Sequence, residues 1–465
     1  MSDATDTGDT GLVLAADGTP LKKKLAQALF VSRLRAFGLV LPLLAFIFTF
    51  FMIPVLVLMY QGIHNDRFAS IMVRTTPLLA EWDAKSEPGE ELYAALVADL
   101  VQAAATDRPQ PTQVAGRVNR EQPGTTSMIK KLLRDIGKLE VEYEGKEEKL
   151  SILFRRLSKD DVPIEDRIAP AAALGDLVLA THTDFKGMVL KSNKKWADVK
   201  YWRAMKVSSR SFTLSYVAKS LDLIYTADGE FVMAEPKRRI HLKLFMRTME
   251  ISLSVTIFCL ILGYPVAFLL STLPLRTSNL LLILVLLPFW TSILVRTTAW
   301  IAILQSQGAL NDLFVFFGIT ADEARFQMIY NKLGVLIAMT HILLPFMILP
   351  LYSVMKTIPP SYVRAAKSLG ATNWTAFWRV YFPQSVPGIG AGAILVFIIA
   401  IGYYITPALV GGQDGVMISN IIDEHMRKSL NYSLAAALGL VLLVIVLFLF
   451  WLYDRIVGID NMKMG

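Results

Sequence analysis

Apolar residues gather in six long runs, separated by polar segments of very unequal length. The runs lie near residues 36–60, 244–271, 279–304, 333–354, 385–410 and 434–454. Each is close to the about 20 residues that a helix needs to cross a bilayer. The fold class expected is therefore all-α, a polytopic membrane protein with six transmembrane helices. A long polar segment, residues 61–240, separates the first run from the second. Within it, residues 90–105, 128–139 and 169–181 repeat apolar positions at helical spacing and predict helices. At 223–233 (LIYTADGEFVM) an Asp-Gly pair separates two apolar arms, which predicts a hairpin. Residues 108–123 read as loop. The segment is expected to be a mainly helical domain of its own.

Composition agrees with the pattern. Hydrophobic residues make up 54% of the 465, and charged residues only 18%, against about 25% in soluble domains. That excludes a wholly soluble enzyme and a disordered chain. The 47 basic and 39 acidic residues leave a net charge of +8. In a membrane protein such an excess collects in cytoplasmic loops, and no zinc spacing or RNA-binding aromatic pattern points to nucleic acid. The one cysteine, Cys259, lies in an apolar run and reads as a small buried hydrophobe, with no disulfide partner in the chain. His64 and His182 lack a spaced catalytic partner. Residues 1–20 lack the basic-then-apolar order of a signal peptide and read as a polar tail.

Basic residues in short loops set the orientation. Lys22, Lys23, Lys24, Arg33 and Arg35 precede the first run, and Arg276 follows the second. Lys356, Arg364, Lys367 and Arg379 lie between the fourth and fifth, and Arg455 and Lys463 follow the sixth. With six spans these share one face, so both termini are expected in the cytoplasm. Arg325, Lys332, Arg427 and Lys428 fall on the other face. The expected organisation is a cytoplasmic tail at 1–35, a first span at 36–60 and a periplasmic domain at 61–240. A five-span core at 241–456, with a cytoplasmic loop at 357–383, and a short tail at 457–465 complete it.

That cytoplasmic loop carries the most specific pattern. Residues 361–383 read SYVRAAKSLGATNWTAFWRVYFP. Pro359 and Pro360 stop what precedes it, and Ser361 is placed to cap a helix from about Tyr362. Tyr362, Ala365, Ala366 and Leu369 give that helix a small apolar face, and Gly370 ends it. A second amphipathic stretch follows, with Trp374, Phe377, Trp378 and Tyr381, before Pro383 and Pro387 open the next span. The local chemistry fits either a helix that docks in a groove or an interfacial loop with an aromatic belt.

Arg364, Ala365, Ala366, Gly370, Val380, Phe382 and Pro383 fall at the spacing of the EAA motif. The loop thus resembles the coupling helix of type I ABC importer permeases, which sits in a cleft of the ATPase subunit. The departure is Arg364, where that family usually has Glu, so one charged contact has its sign reversed. The similarity runs over about residues 245–453. Within the family, LGYPVAFLL (262–270), LPFWTS (287–292) with Arg296, and IGYYITPALVGG (401–412) make the chain most similar to spermidine/putrescine-type permeases.

The resemblance implies an inner-membrane permease subunit that imports polyamines by alternating access. Arg364, Ala365, Ala366, Leu369, Gly370 and Ala371 would form the ATPase-coupling site. A second permease subunit, two ATP-binding subunits and a periplasmic solute-binding protein would complete the importer. ATP and Mg would sit on the partner ATPase; the chain has no G-x-x-x-x-G-K-[ST] loop and is expected to carry no catalytic residue, cofactor or metal.

Glu250, Trp290, Arg296, Tyr403 and Tyr404 are the candidate path residues. Charges inside spans are costly and default to function or to pairing, so Glu250 and Arg296 are expected to pair or to meet solute. Tyr403 and Tyr404 sit beside Gly402 and Pro407, where broken backbone can line a cavity. Trp300 reads as interfacial, His341 as bonded to freed backbone near Pro345 and Pro350, and Asp423 and Glu424 as facing water in an outer loop. Competing readings are an importer of another solute (an opine, ferric iron or a phosphonate) and, more remotely, a membrane sensor. A sensor would carry an output domain after its second span, where this chain has four more spans. A membrane-embedded enzyme would need a catalytic pattern in its spans, and none is present.

Overall fold

The computed structural model describes residues 21–159 and 161–457. Of the tails expected at 1–35 and 457–465, residues 1–20 and 458–465 lie outside the described residues. The chain divides into two compact units, residues 1–60 and 61–465. The first is helical from Leu21, well ahead of the apolar run at 36, and passes from Leu21–Ile47 through a π-helical turn, Phe48–Met52, into the helix beginning at Ile53.

Five helices are long and apolar enough to cross a membrane: Leu29–Ile63, His241–Thr272, Lys332–Thr357, Asn373–Ile401 and Tyr432–Arg455. A sixth candidate, the third in chain order, is a bent pair. Leu275–Trp290 and Ile293–Phe316 meet at 94°. The third span, expected near 279–304, is therefore redrawn as a broken one over Leu275–Trp290 and Ile293–Phe316. Pro288 lies in the 3-10 turn Leu287–Trp290, and Ser292 caps a fresh helix by accepting from the Leu294 amide at 3.3 Å. The run hides the break from a hydropathy count because its residues stay apolar.

The fifth span is also redrawn. It was expected over 385–410, but its helix starts at Asn373 and stops at Ile401, then resumes as Ile405–Val410. The aromatic stretch at 374–381 is thus the first turns of the span, running through a π-helical turn, Phe377–Tyr381. Pro383 has no amide to give, and the Gln384 side chain donates to the Val380 carbonyl at 2.7 Å just behind it.

The second, fourth and fifth spans share one core that includes Val255, Cys259, Met347, Ile348, Leu351 and Val396. Glycines allow the close approach. A Cβ on Gly388 would stand 3.0 Å from Val354 Cβ, and one on Gly392 would stand 3.1 Å from the Met347 carbonyl oxygen. The small-xxx-small spacing Gly388–Gly392 is the packing device of membrane helices. Cys259 is fully buried, as its apolar setting predicts.

The region between the first two spans is mainly helical, with two short hairpins. Its centre is Glu90–Thr106, in which nearly every residue from Leu92 on is buried. A helix that is apolar all round belongs inside. Helices Thr125–Ile136 and Ile164–Thr181 pack around it, close to the predicted runs. The hairpin at 223–233 is present, with Leu223–Tyr225 paired antiparallel to Phe231–Met233. The loop expected at 108–123 is instead a helix, Gln110–Asn119. Its buried residues Pro111, Val114, Ala115 and Val118 keep i, i+3, i+4, i+7 spacing, and polar residues between them dilute the signal.

Buried charges hold this region together. Asp99 accepts from the Thr75 amide and hydroxyl, both at 2.7 Å, and from the Arg74 amide at 3.2 Å. Glu121 meets Arg117 and Lys219, each at 2.6 Å. Burial alone would push the Glu121 carboxyl up, but the two cations overcome it and hold it at about 2. The region is fixed to the spans at two places. The Asp222 carboxylate accepts from the amides of Ile240, His241 and Leu242 at 3.2, 3.1 and 2.8 Å, which caps the second span. Tyr216 joins a small core with Leu244, Phe245, Leu434 and Leu438.

Candidate coupling site and solute path

A short helix, Pro360–Ser368, leaves the end of the fourth span. Proline stands at its first position, where its missing amide costs nothing. Ser361 makes no capping bond, so the expected cap is corrected: Pro359 and Pro360 start the helix instead. Its end matches expectation. Gly370 takes φ +90°. The Gly370 amide donates to the Lys367 carbonyl and the Ala371 amide to the Ala366 carbonyl, both at 3.0 Å. These two bonds are the Schellman arrangement, which spends the free carbonyls of the last turn.

The helix turns Val363 and Ala366 toward the protein and Tyr362, Ala365 and Leu369 outward, so Ala366 does not belong to the exposed apolar face expected for it. Leu369 is 90% exposed, and Trp374, one turn beyond Gly370, is 71% exposed. A leucine held on a capped helix with nine-tenths of its surface bare is a ready contact for another surface. Behind the helix lies a cavity of about 770 Å³. Phe268, Met355, Ile358 and Phe377 give it apolar walls, and Lys356, Arg364 and Lys367 stand at its edge. The Lys356 ammonium donates to the carbonyls of Ser271 and Leu273, at 3.1 and 3.3 Å, which ties the end of the fourth span to the end of the second. Nothing in the loop pattern marks Lys356 for this role.

The path candidates are not brought together as one cluster. Glu250 is ion-paired with Lys332, which corrects the expected pairing with Arg296. Lys332 begins the fourth span, and the pattern had counted it only as an outer-loop charge. Arg296 follows the break in the third span, and its Nε is buried without a hydrogen-bond partner among the described residues. Trp290 ends the 3-10 turn at that break and is 75% exposed. His341 is exposed and accepts from Trp300 Nε1 at 3.1 Å, so the expected backbone partner is replaced by a side chain.

Tyr403 and Tyr404 do sit on broken backbone, between Ile401 and Ile405. Their carbonyls accept from Ser419 Oγ and Asn420 Nδ2, each at 2.7 Å. Both donors lie on the helix Ile418–Arg427, which also carries Asp423 and Glu424 in place of the expected loop. Asp423 is paired with Arg427 at 2.6 Å, and the Arg427 guanidinium lies over the Tyr404 ring at 5.7 Å. Tyr404 and Arg427 line a cavity of about 420 Å³ with Ser292. Ser419 and Asn420 were not among the path candidates; the only hint was that Gly402 frees nearby carbonyls. Among the described residues no group of acids, histidines and cysteines is arranged to hold a metal.

Apolar helices with a broken third member, packed on glycines around one core, with a capped and bare helix at one end, define a polytopic membrane permease. Residues 232–457 match the family described as binding-protein-dependent transport system inner membrane component. The spermidine/putrescine transport system permease protein PotB of Salmonella typhimurium (strain SL1344) is 30% identical over 255 residues, 55% of this chain and 87% of that protein. PotB of Haemophilus influenzae is 36% identical over 208 residues, 45% of this chain and 72% of that one. A chain in the crystal structure of a bacterial alginate ABC transporter, in complex with an alginate pentasaccharide-bound periplasmic protein, has a TM-score of 0.40 and 20% identity, over 47% of this chain and 80% of that chain.

The chain belongs to the binding-protein-dependent transport system inner membrane component family. It is a multi-pass ABC importer permease of the inner membrane, not itself catalytic and without a cofactor of its own.

Proposed function

We propose that this permease imports polyamines of the putrescine and spermidine class and is driven through the Pro360–Ser368 helix by a separate ATPase. The observation that carries the drive is the bare apolar stripe of Tyr362, Ala365 and Leu369 on a helix held rigid by proline at one end and Gly370 at the other. Arg364, Ala365, Ala366, Leu369, Gly370 and Ala371 form the contact, and closure of two ATP-binding subunits swings the packed spans between inward and outward arrangements. A second permease subunit completes the path, and a periplasmic binding protein delivers the solute. Both termini and the 357–383 loop face the cytoplasm. Residues 61–240 face the periplasm, where the helical region docks the binding protein.

The polyamine reading is supported by the PotB relatives. Tyr403, Tyr404 and Trp290 offer aromatic faces near the breaks in the fifth and third spans, and an aromatic face attracts a cation by about 0.5–2 kcal/mol. One observation favours a second reading. Arg296 stands in a span without an acidic partner among the described residues, which suits a solute with an anionic group, such as an opine or a phosphonate. The test is ATP-dependent uptake of labelled putrescine and spermidine by vesicles holding the assembled importer, with a phosphonate and an opine in parallel. Uptake of either polyamine supports the first reading. Uptake of an anionic solute alone overturns it.

A further inference from the structure

We propose that the cavity behind the Pro360–Ser368 helix binds the phosphate headgroup of an anionic phospholipid. The cavity has two chemistries at one height. Met355, Ile358 and Phe377 give it apolar walls, and Lys356, Arg364 and Lys367 supply three cations at its edge. Its volume of about 770 Å³ lies within the about 300–1,000 Å³ usual for small-molecule sites.

The cations have no internal answer. Between Glu323 and Asp414 the chain holds six basic residues and no acidic one. Two of the six, Arg325 and Lys332, are ion-paired, whereas Lys356, Arg364, Lys367 and Arg379 enter no ion pair among the described residues, and the first three of these line the cavity. Lys356 spends two donors on the Ser271 and Leu273 carbonyls, and an ammonium has three. These bonds hold it in the cavity wall with a donor to spare. Three unpaired cations beside one hollow repel each other unless an anion joins them.

Position and shape choose the anion. Thr272 ends the second span and Thr357 ends the fourth, and both chain ends border the cavity. That is the level of lipid headgroups, where basic pockets between spans take anionic lipids. A carboxylate from a docked protein would answer the basic edge but not the apolar lining that Phe268, Ile358 and Phe377 turn toward the cavity. A phospholipid answers both, with its phosphate on the cations and its acyl chains on the apolar wall. The site does not depend on the solute, and it shares only Arg364 with the proposed ATPase contact, so Lys356 and Lys367, which lie outside that contact, are the residues that test it.

Native mass spectrometry of the importer, purified with its own partners from membranes and exchanged into phosphatidylglycerol or phosphatidylcholine, tests this. Each basic residue beside an anionic lipid is worth a factor of about five. The Lys356→Gln/Lys367→Gln pair should therefore retain phosphatidylglycerol about 25-fold less, while Lys356→Arg/Lys367→Arg retains it and phosphatidylcholine is retained by none. The arginine pair shows that a loss in the glutamine pair is not misfolding. Equal retention by the glutamine pair overturns the proposal. So does displacement of the lipid by inorganic phosphate at matched concentration, which would make the site one for a free anion. A carbodiimide cross-link from Lys367 to an ATPase carboxylate in phosphatidylglycerol vesicles would give the cations to a protein partner, and also overturns it.

Discussion

Gly370 separates backbone strain from crowding. Its φ is +90°, and a Cβ built on it meets nothing within 4 Å. A side chain there has room, so the whole penalty is conformational. Non-glycine residues pay about 1–2 kcal/mol in left-handed backbone, which shifts a two-state population by a factor of about 5–30. Relief of that strain releases the bonds from Gly370 to Lys367 and from Ala371 to Ala366 and frays the turn that presents Ala365 and Leu369. Asparagine tolerates left-handed backbone better than alanine, and a β-branched residue tolerates it worst. ATP-dependent uptake per assembled complex should therefore fall in the order Gly370, Gly370→Asn, Gly370→Ala, Gly370→Val, with the loss bounded by the about 5–30-fold shift in the turn's equilibrium. Gly145, in the hairpin between β1 (Glu140–Tyr143) and β2 (Lys146–Lys149), has φ +74° and equally open space. Gly145→Ala carries the same kind of strain and should leave uptake per complex unchanged. Normal uptake by both Gly370→Ala and Gly370→Val, or an equal loss from Gly145→Ala, would refute the reasoning.

Three further outcomes follow from the packing and charges. Glu121 is held at about 2 against an ordinary 4.5, so its contribution, about 3 kcal/mol, is complete above the unfolded value and is lost as pH falls toward 2. Thermal melts from pH 6 to 2 should show that loss, and Glu121→Gln should flatten it; an unchanged slope in the variant contradicts the assignment. Gly392→Leu should cost about 1–3 kcal/mol by forcing the fourth and fifth spans apart, read as a lower melting temperature in detergent, and a neutral result would mean the spans are not packed on that glycine. The Glu250–Lys332 pair is more than one-third exposed on both sides or close to it, so Glu250→Gln should cost less than about 1 kcal/mol. Exchanging the two residues should restore the difference, and failure to do so would return Glu250 to the list of path residues.

What the pattern of residues revealed depended on how far each signal reaches along the chain. Long apolar runs report membrane helices, and Gly370 reports a helix end through its own backbone, so both were legible. The break in the third span was not, because Leu287, Pro288, Phe289 and Trp290 remain apolar while the helix is interrupted. The helix at Gln110–Asn119 was missed because burial against neighbours, not local composition, stabilises it. The partner of Glu250 was misjudged for the same reason. Lys332 and Arg296 are both basic and both near spans, and only the packing chooses between them. Ser419 and Asn420 could be found only once the carbonyls of Tyr403 and Tyr404 were seen to point at their helix.

The central claim is that the Pro360–Ser368 helix is where the driving ATPase engages this permease. Cys259 is the only cysteine and is fully buried, so Leu369→Cys introduces one reactive thiol at a 90% exposed position. The measurement is photo-cross-linking of that variant in the assembled importer after labelling with benzophenone-4-maleimide, whose ketone inserts into neighbouring C–H bonds and needs no thiol on the partner, with Ile152→Cys, exposed in the region between the first two spans, as the comparison. The account predicts an adduct with the ATP-binding subunit from Leu369→Cys, none from Ile152→Cys, and loss of the adduct when Gly370→Val is added. No adduct from Leu369→Cys, or one that Gly370→Val leaves intact, would contradict it.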